Sequence, residues 1–211
     1  MLETARSWAE GWAVSRGAPR PEDVPWGLRI AVGRPTQTVR HVLLGTDAET
    51  ARALIGTITE PTTCVKAFLP PAVMDPWFSA DWEPTEPCFL MAVDLRPTRA
   101  DAPDGYTVTV DTSGGGLVSA RVLAPDGEPA AYGQAGLTDT ACVFDQIVTE
   151  PAHRRRGLGT TVMAALTAAA LEHGVSEGVL GATVQGRALY ERLGWKVLAP
   201  LSGQVYRPVT S

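Results

Sequence analysis

Asp145-Gln146-Ile147-Val148-Thr149-Glu150-Pro151-Ala152-His153-Arg154-Arg155-Arg156-Gly157-Leu158-Gly159-Thr160 decides how this chain is read, because it turns a strand into a helix. Val143 to Thr149 is a short apolar run with β-branched residues, and Pro151 ends it. From Leu158 onward the apolar residues Leu158, Val162, Leu166 and Ala170 recur at helical spacing. A glycine-rich turn at a helix start presents unpaired backbone N–H groups at the positive end of the helix dipole, a ready site for phosphate. Arg154, Arg155 and Arg156 add charge of matching geometry. The competing reading is a plain helix start whose arginines are merely solvated.

Two familiar phosphate loops are excluded. A P-loop needs Gly-x-x-x-x-Gly-Lys-Ser/Thr, a string this chain lacks. A dinucleotide fingerprint needs a third glycine where Val162 stands, within a doubly wound array. The residues ahead of the motif predict hairpins instead. After Pro103-Asp104-Gly105, Tyr106, Val108 and Val110 alternate with polar residues; Leu117 to Leu123 and Ala130 to Leu137 follow as two more strands of an antiparallel meander. Behind the motif, the helix of 158–172 stops near Gly174. Val179 to Thr183 is then expected as a buried strand parallel to the motif strand, reached by a right-handed crossover. A short helix from Arg187 to Leu193 ends at Gly194, and Trp195–Leu198 with Gln204–Arg207 predicts a closing hairpin.

The first half is mixed α+β. Leu2 to Ser15 is expected as a helix with Trp8 and Trp12 on one face, and the runs 27–32 and 38–44 flank Gly33-Arg34-Pro35-Thr36 as a hairpin. Thr46-Asp47-Ala48-Glu49 has capping-box spacing ahead of a helix carrying Leu54, Ile55 and Ile58, and 63–69 is a further strand. Between 70 and 103, Pro70, Pro71, Pro76, Pro84, Pro87, Pro97 and Pro103 surround one strand-like run, Phe89 to Val93. Trp77, Phe78 and Trp82 in that connector either line a cleft or cover the sheet, and aromatic residues in apolar surroundings favour the second. The first half carries no catalytic constellation.

At 211 residues the chain makes one sizeable domain or two small ones, and 45% hydrophobic residues with six tryptophans indicate a packed globular protein. A net charge of -5, with the only dense basic cluster at Arg154–Arg156, argues against nucleic-acid and membrane-surface partners. The start Met1-Leu2-Glu3-Thr4-Ala5-Arg6 lacks an apolar signal core, and no apolar run approaches a membrane span, so a cytoplasmic location is expected. Cys64, Cys88 and Cys142 lack the spacing of a zinc site or a disulfide framework, and buried thiols without a metal are expected.

The pattern Thr149-x-Pro151-x-x-Arg154-x-x-Gly157-x-Gly159, followed about thirty residues on by Gly186-Arg187-Ala188-Leu189-Tyr190-Glu191-Arg192-Leu193-Gly194-Trp195, resembles the GNAT superfamily of N-acetyltransferases. The resemblance covers about 105 to 211. It implies an α+β fold: a mixed, mostly antiparallel sheet with a splayed parallel strand pair flanked by helices, preceded by an N-terminal α+β region. The family usually places two helices between its first and second strands, and Val110 and Leu117 leave no room for them. Either the first strand lies in the earlier half or the chain has two parts; the second is the expected organisation, with an N-terminal region over 1–100, a degenerate companion like that of glycine N-acyltransferase-type proteins, and an acetyltransferase domain over 101–211.

The resemblance also implies a mechanism. Acetyl-CoA is the co-substrate, with no metal. Backbone N–H groups from Arg155 through Gly157, Leu158 and Gly159 to Thr160 hold its pyrophosphate, with the side chains of Arg154, Arg155 and Arg156 neutralising charge. Ile147, Val148 and Thr149 pair with the pantetheine amides like an added strand, and one N–H there polarises the thioester carbonyl. Thr183 stands where the family often has an asparagine on the loop after the second parallel strand. Tyr190 occupies the place of a tyrosine that protonates the leaving thiolate; core packing beside Leu189 and Leu193 is its other reading. Asp145 is the candidate base, with capping or pairing to an arginine as the alternative, and Glu150 or a water relay as substitutes. His153 is expected to be exposed. The implied partner is a small-molecule primary amine, and a homodimer is allowed. The competing functions are acetylation of a protein lysine or N-terminus, and acyl-CoA binding without catalysis.

Overall fold

The computed structural model describes residues 1–99 and 101–208. By their contacts these form two compact units that exchange segments: residues 1–9, 18–92 and 181–211 in the first, 10–17 and 93–180 in the second. The sequence boundary at 100/101 therefore lies close to one crossing point, and does not anticipate that the last thirty or so residues return to the first unit.

The elements follow in order: α1 (Leu2–Ser15), β1 (Glu22–Val24), β2 (Gly27–Arg34), β3 (Gln37–Leu43), α2 (Ala48–Thr57), β4 (Cys64–Ala67), α3 (Pro71–Met74), a 3-10 turn (Asp75–Trp77), β5 (Trp82–Pro84) and β6 (Cys88–Asp94). Then come β7 (Thr107–Ser113), β8 (Leu117–Leu123), β9 (Pro129–Leu137), β10 (Ala141–Thr149), a 3-10 turn (Pro151–His153), α4 (Leu158–Glu172), β11 (Glu177–Thr183), α5 (Val184–Arg192) and β12 (Lys196–Tyr206). Among the described residues no helix is long and apolar enough to cross a membrane.

In the first unit the strands run β1-β2-β3-β4-β12-β6, and β5 also pairs with β12. β2 and β3 form the expected antiparallel hairpin, while β3 and β4 are parallel, with Arg40 opposite Cys64 and Leu43 opposite Ala67, joined through α2. The core gathers Leu43, Leu54, Ile55, Val65, Met74 and Trp82, with Trp77 and Phe78 packed against it. Trp82 meets Phe78 edge-on at 4.9 Å and Tyr206 at 5.1 Å. The connector aromatics are thus core, and α3 and β5 are short elements that the prolines did not prevent: Pro71 sits in the first turn of α3, where a missing N–H costs nothing.

Three local expectations are corrected. The cap of α2 is Asp47, not Thr46; its carboxylate accepts from the amides of Glu49 and Thr50, whereas the Thr46 hydroxyl donates to Trp26 O at 2.6 Å. α5 begins at Val184, three residues before the expected start, because Thr183 caps it. The closing hairpin is instead the single strand β12. Its first half pairs with β6 up to Leu201 opposite Cys88, and its second half switches to β4 from Ser202 opposite Ala67. Pro200-Leu201-Ser202-Gly203 looks like a turn but is the partner switch, and a side chain at Gly203 would meet the aliphatic stem of buried Lys66. Cys64 and Cys142 are buried as expected and Cys88 is half-buried.

In the second unit β7, β8, β9 and β10 form the expected antiparallel meander, and β11 lies parallel to β10. α4 packs across β7 to β10 and buries Leu158, Val162, Leu166 and Ala170, the residues whose spacing predicted it. Gly133 on β9 allows this close approach, since a side chain there would strike Val162 and Ile147.

His41 on β3 is 7% exposed, and burial, helped by Arg29, pushes its imidazole down to about 4. Its Nδ1 accepts from the Trp26 indole N–H at 3.2 Å, a bond only unprotonated Nδ1 can make. The unfolded chain binds this proton from about pH 6.5 downward and the folded chain only near 4, so stability is full above 6.5 and lost as pH falls. Urea unfolding should show roughly 3 kcal/mol less stability at pH 4 than at pH 7 from this group, and His41→Gln should flatten that slope.

Candidate active site

β10 keeps different company along its two edges. On one side it stays with β9 from Cys142 opposite Leu137 to Thr149 opposite Ala131; on the other its register with β11 runs only from Ala141/Glu177 to Phe144/Leu180. Past Phe144 the second edge of β10 has left its parallel neighbour. At the same place the ladder with β9 is bulged: Gln146 and Ile147 together oppose Gly133, and Gln146 adopts φ +53°, a conformation uncommon for a residue other than glycine. The bulge interrupts the regular pairing with β9 between Asp145 and Val148. Gln146 and Val148 are exposed, Val148 at 49%, and Ile147 and Thr149 are half-buried.

Beyond Pro151–His153 the chain reaches α4 through Arg155 at φ +61° and Gly157 at φ +82°. Gly157 is the N-cap, and no side chain caps it; the first intrahelical donor is Thr161 N to Gly157 O at 3.1 Å. The amides of Leu158, Gly159 and Thr160 are therefore presented outward. α2 and α5 differ. Their first-turn amides are met by the chain's own oxygens, Asp47 on α2 and Thr183, which accepts from Gly186 N at 3.1 Å, on α5. A Cβ on Gly159 would find only Thr149 Oγ1, at 3.7 Å, so the space before the amides is open. Arg154, Arg155 and Arg156 are exposed around it. Arg154 Nε donates to Thr149 O at 3.3 Å, and Arg156 Nη1 donates to the Tyr106 hydroxyl at 3.0 Å.

The sequence profile of the Acetyltransferase (GNAT) family matches residues 74–195, more than half of the chain. The chain belongs to the GNAT acetyltransferase family. Its open, mostly antiparallel sheet with a parallel pair is the GNAT fold, and family membership implies acyl transfer from acyl-CoA. The GNAT chain is similar over its whole length to a GCN5-related N-acetyltransferase from Kribbella flavida, with 17% identity, 96% of that chain covered and a TM-score of 0.68. A GCN5-related N-acetyltransferase from Sphaerobacter thermophilus is similar at 13% identity over 87% of this chain and 78% of that one, TM-score 0.59. A tandem GNAT protein from the clavulanic acid biosynthesis pathway is similar at 15% identity over 77% and 69%, TM-score 0.55. No curated protein matches the sequence. At these identities the likeness concerns the fold, and it includes the N-terminal region, where β3, α2 and β4 repeat the strand-helix-parallel strand order of β10, α4 and β11.

The residues present fit the phosphates of an acyl-CoA: uncapped amides at Leu158, Gly159 and Thr160, open space beside Gly159, and arginines at the rim. Asp145 to Thr160 all lie on β10, α4 and the turn between, within one unit. Thr183 and Tyr190 belong to the other unit, Thr183 as the last residue of β11 and N-cap of α5, Tyr190 on α5 itself. Tyr190 is half-buried, packs edge-on against Trp195 at 5.8 Å, and burial pushes its phenol up. Among the described residues its hydroxyl makes no hydrogen bond.

Asp145 departs from the base role. Both its oxygens accept from Arg16, Oδ2 from Nε and Oδ1 from Nη2 at 2.9 Å, and the Ser15 hydroxyl lies 2.9 Å from Oδ2. A carboxylate so occupied has little capacity left for a substrate proton. This is the arginine pairing that the sequence held as its alternative, with the partner 129 residues away and so invisible to local pattern. His153 is half-buried, not exposed, and its Nδ1 is 3.0 Å from the Tyr106 hydroxyl. Tyr106 thereby joins His153 and Arg156, a contact across 47 and 50 residues with no sequence signature.

Replacing Arg154 by Ala together with Gly159 by Asp should weaken CoA binding more than about 100-fold by calorimetry, through a lost charged hydrogen bond and a carboxylate set among the amides. The Tm should hold, because the new side chain enters open space and an acid suits a helix N-terminus. Unchanged CoA affinity would remove the phosphate assignment.

Proposed function

We propose that the chain transfers an acetyl group from acetyl-CoA to a primary amine of a small molecule by direct attack. The observation that carries this is the pairing of an uncapped helix N-terminus with a strand edge released from its neighbour, in a GNAT chain. Acetyl-CoA, when bound, supplies the activated acyl group and a thiolate leaving group. The amides of Leu158, Gly159 and Thr160, with Arg154, Arg155 and Arg156, bind its phosphates; the released edge at Ile147, Val148 and Thr149 orients its amide-bearing arm, and an N–H of the bulge stabilises the developing oxyanion. The oxyanion donor is backbone, so it needs no particular side chain at Gln146.

The resemblance of Gly186–Trp195 to the family is what supports Tyr190 as the proton donor to the departing thiolate; its phenol is protonated at neutral pH, as any tyrosine's is, and burial pushes it further up. Thr183 caps α5, accepting from Gly186 N, and the cofactor contact that the resemblance implies for it is not carried by this bond. With Asp145 held by Arg16, the proton from the attacking amine leaves through exposed Glu150 or water. The net charge of -5 favours a neutral or cationic acceptor.

The N-terminal region we read as a companion that has lost its own phosphate site. Asp47 fills the amides of α2 with a carboxylate, and the Thr50 amide above all holds that carboxyl below its usual range. One CoA per chain is expected. A second function, acyl-CoA binding without turnover, draws support from the same occupied Asp145.

A panel of amines assayed for thiol release and acetylated product by mass separates these readings: turnover with at least one amine is expected, and CoA binding at a stoichiometry of one with no thiol release across the panel would favour the binding module. Tyr190→Phe should lower kcat by about 100-fold with CoA affinity little changed; equal activity would return Tyr190 to the packing around Trp195.

A further inference from the structure

The C-terminal turn of α1 converges on the bulge of β10. Gly11 on α1 and Gly136 on β9 meet backbone to backbone: a side chain on Gly136 would strike Gly11 O, and one on Gly11 would strike Val143. This contact sets α1 directly on the sheet, with no side-chain layer between. Four residues on, Ser15 is 3% exposed and its carbonyl accepts from Gln134 Nε2, while Gln134 Oε1 accepts from the Tyr132 hydroxyl. The Ser15 hydroxyl lies 2.9 Å from both Trp12 O and Asp145 Oδ2. Arg16, its guanidinium 5.4 Å from the centre of the Trp12 ring, takes both Asp145 oxygens.

Asp145 is the residue at which the ladder breaks. It opposes Gln134, the next regular pair is Val148 with Tyr132, and Gln146 at φ +53° lies between. Of the β9 residues on either side of the break, Gln134 donates to the Ser15 carbonyl and Tyr132 donates to Gln134, so both stand in one chain of hydrogen bonds that ends on Ser15. A left-handed conformation at a non-glycine residue persists only where its surroundings over-determine it. Here the surroundings are a two-toothed ion pair on one flank and the resumed ladder on the other.

We propose that Ser15 and Arg16 are positioning residues of the acyl-transfer site, clamping Asp145 so that the bulge holds its backbone N–H groups at the angle acyl transfer needs. Arg16 touches no substrate; it acts through Asp145 on the backbone of Gln146–Val148. The inference rests on the acetyltransferase reading for its catalytic consequence, though the clamp itself is a property of the ligand-free chain. It gives the N-terminal helix a part in catalysis that a degenerate companion would lack.

The test is made on the full chain in two arms. Without ligand, hydrogen exchange at the amides of Gln146, Ile147 and Val148 should quicken about tenfold or more in Arg16→Ala, with exchange in α4 unchanged. With acetyl-CoA and the best amine from the panel, kcat should fall roughly 10- to 100-fold while the Kd for CoA stays within about threefold, and Arg16→Lys should recover part of the loss. If Arg16→Ala does not fold, Asp145→Asn, equal in shape but uncharged, is read in its place. Unchanged exchange in the bulge would overturn the clamp, as would kcat, CoA affinity and Tm all falling together. A wild-type chain that neither binds CoA nor releases thiol would instead sink the acetyltransferase reading, with the exchange arm still deciding the clamp.

Discussion

A strand that must part from one neighbour while keeping the other is the constraint on which the second unit depends. β10 holds β9 along its length and β11 only as far as Phe144. The released edge lies where Gln146 and Val148 are exposed, so its backbone groups are open to a partner from outside the chain. In the function proposed for this GNAT chain an extended, amide-bearing acyl carrier is that partner, and its phosphate-bearing end falls to the next feature in the chain, the start of α4.

That helix start shows how a similar element is made into a site or kept from being one. α2, α4 and α5 each follow a strand, and each has first-turn amides in need of acceptors. At α2 and α5 an Asp and a Thr in the cap position supply them from within the chain; at α4 the cap is Gly157, which has no side chain to offer. The difference is one residue, and with glycine as the cap it costs only a few tenths of a kcal/mol of helix stability. Exposed arginines at the rim and the open space beside Gly159 add to what an anion would need. The repeat of strand, helix and parallel strand in the first unit then reads as the same device with its opening filled.

Local pattern served well where local physics decides. The periodicity of Leu158, Val162, Leu166 and Ala170 placed α4, the alternation after Tyr106 placed the meander, and both parallel strands of the motif were expected. It failed where a residue answers to something distant. Pro200 to Gly203 has turn composition, yet β12 runs straight through because it changes partners there, from β6 to β4. Asp145 has the setting of a buried base, yet Arg16 reaches it across the fold.

The sequence by itself pointed to the family, and it marked the turn at 154–160 as the candidate phosphate site, because strand, glycine turn, arginines and helix are contiguous and their spacing is set by backbone geometry. The tertiary structure alone decided that β10 bulges at Gln146, that the expected splay begins after Phe144, that Arg16 is the arginine paired with Asp145, and that the final strand belongs with the first unit. Each of these depends on contacts between residues far apart in the chain, where no periodicity carries a signal and only the packed fold brings the partners together.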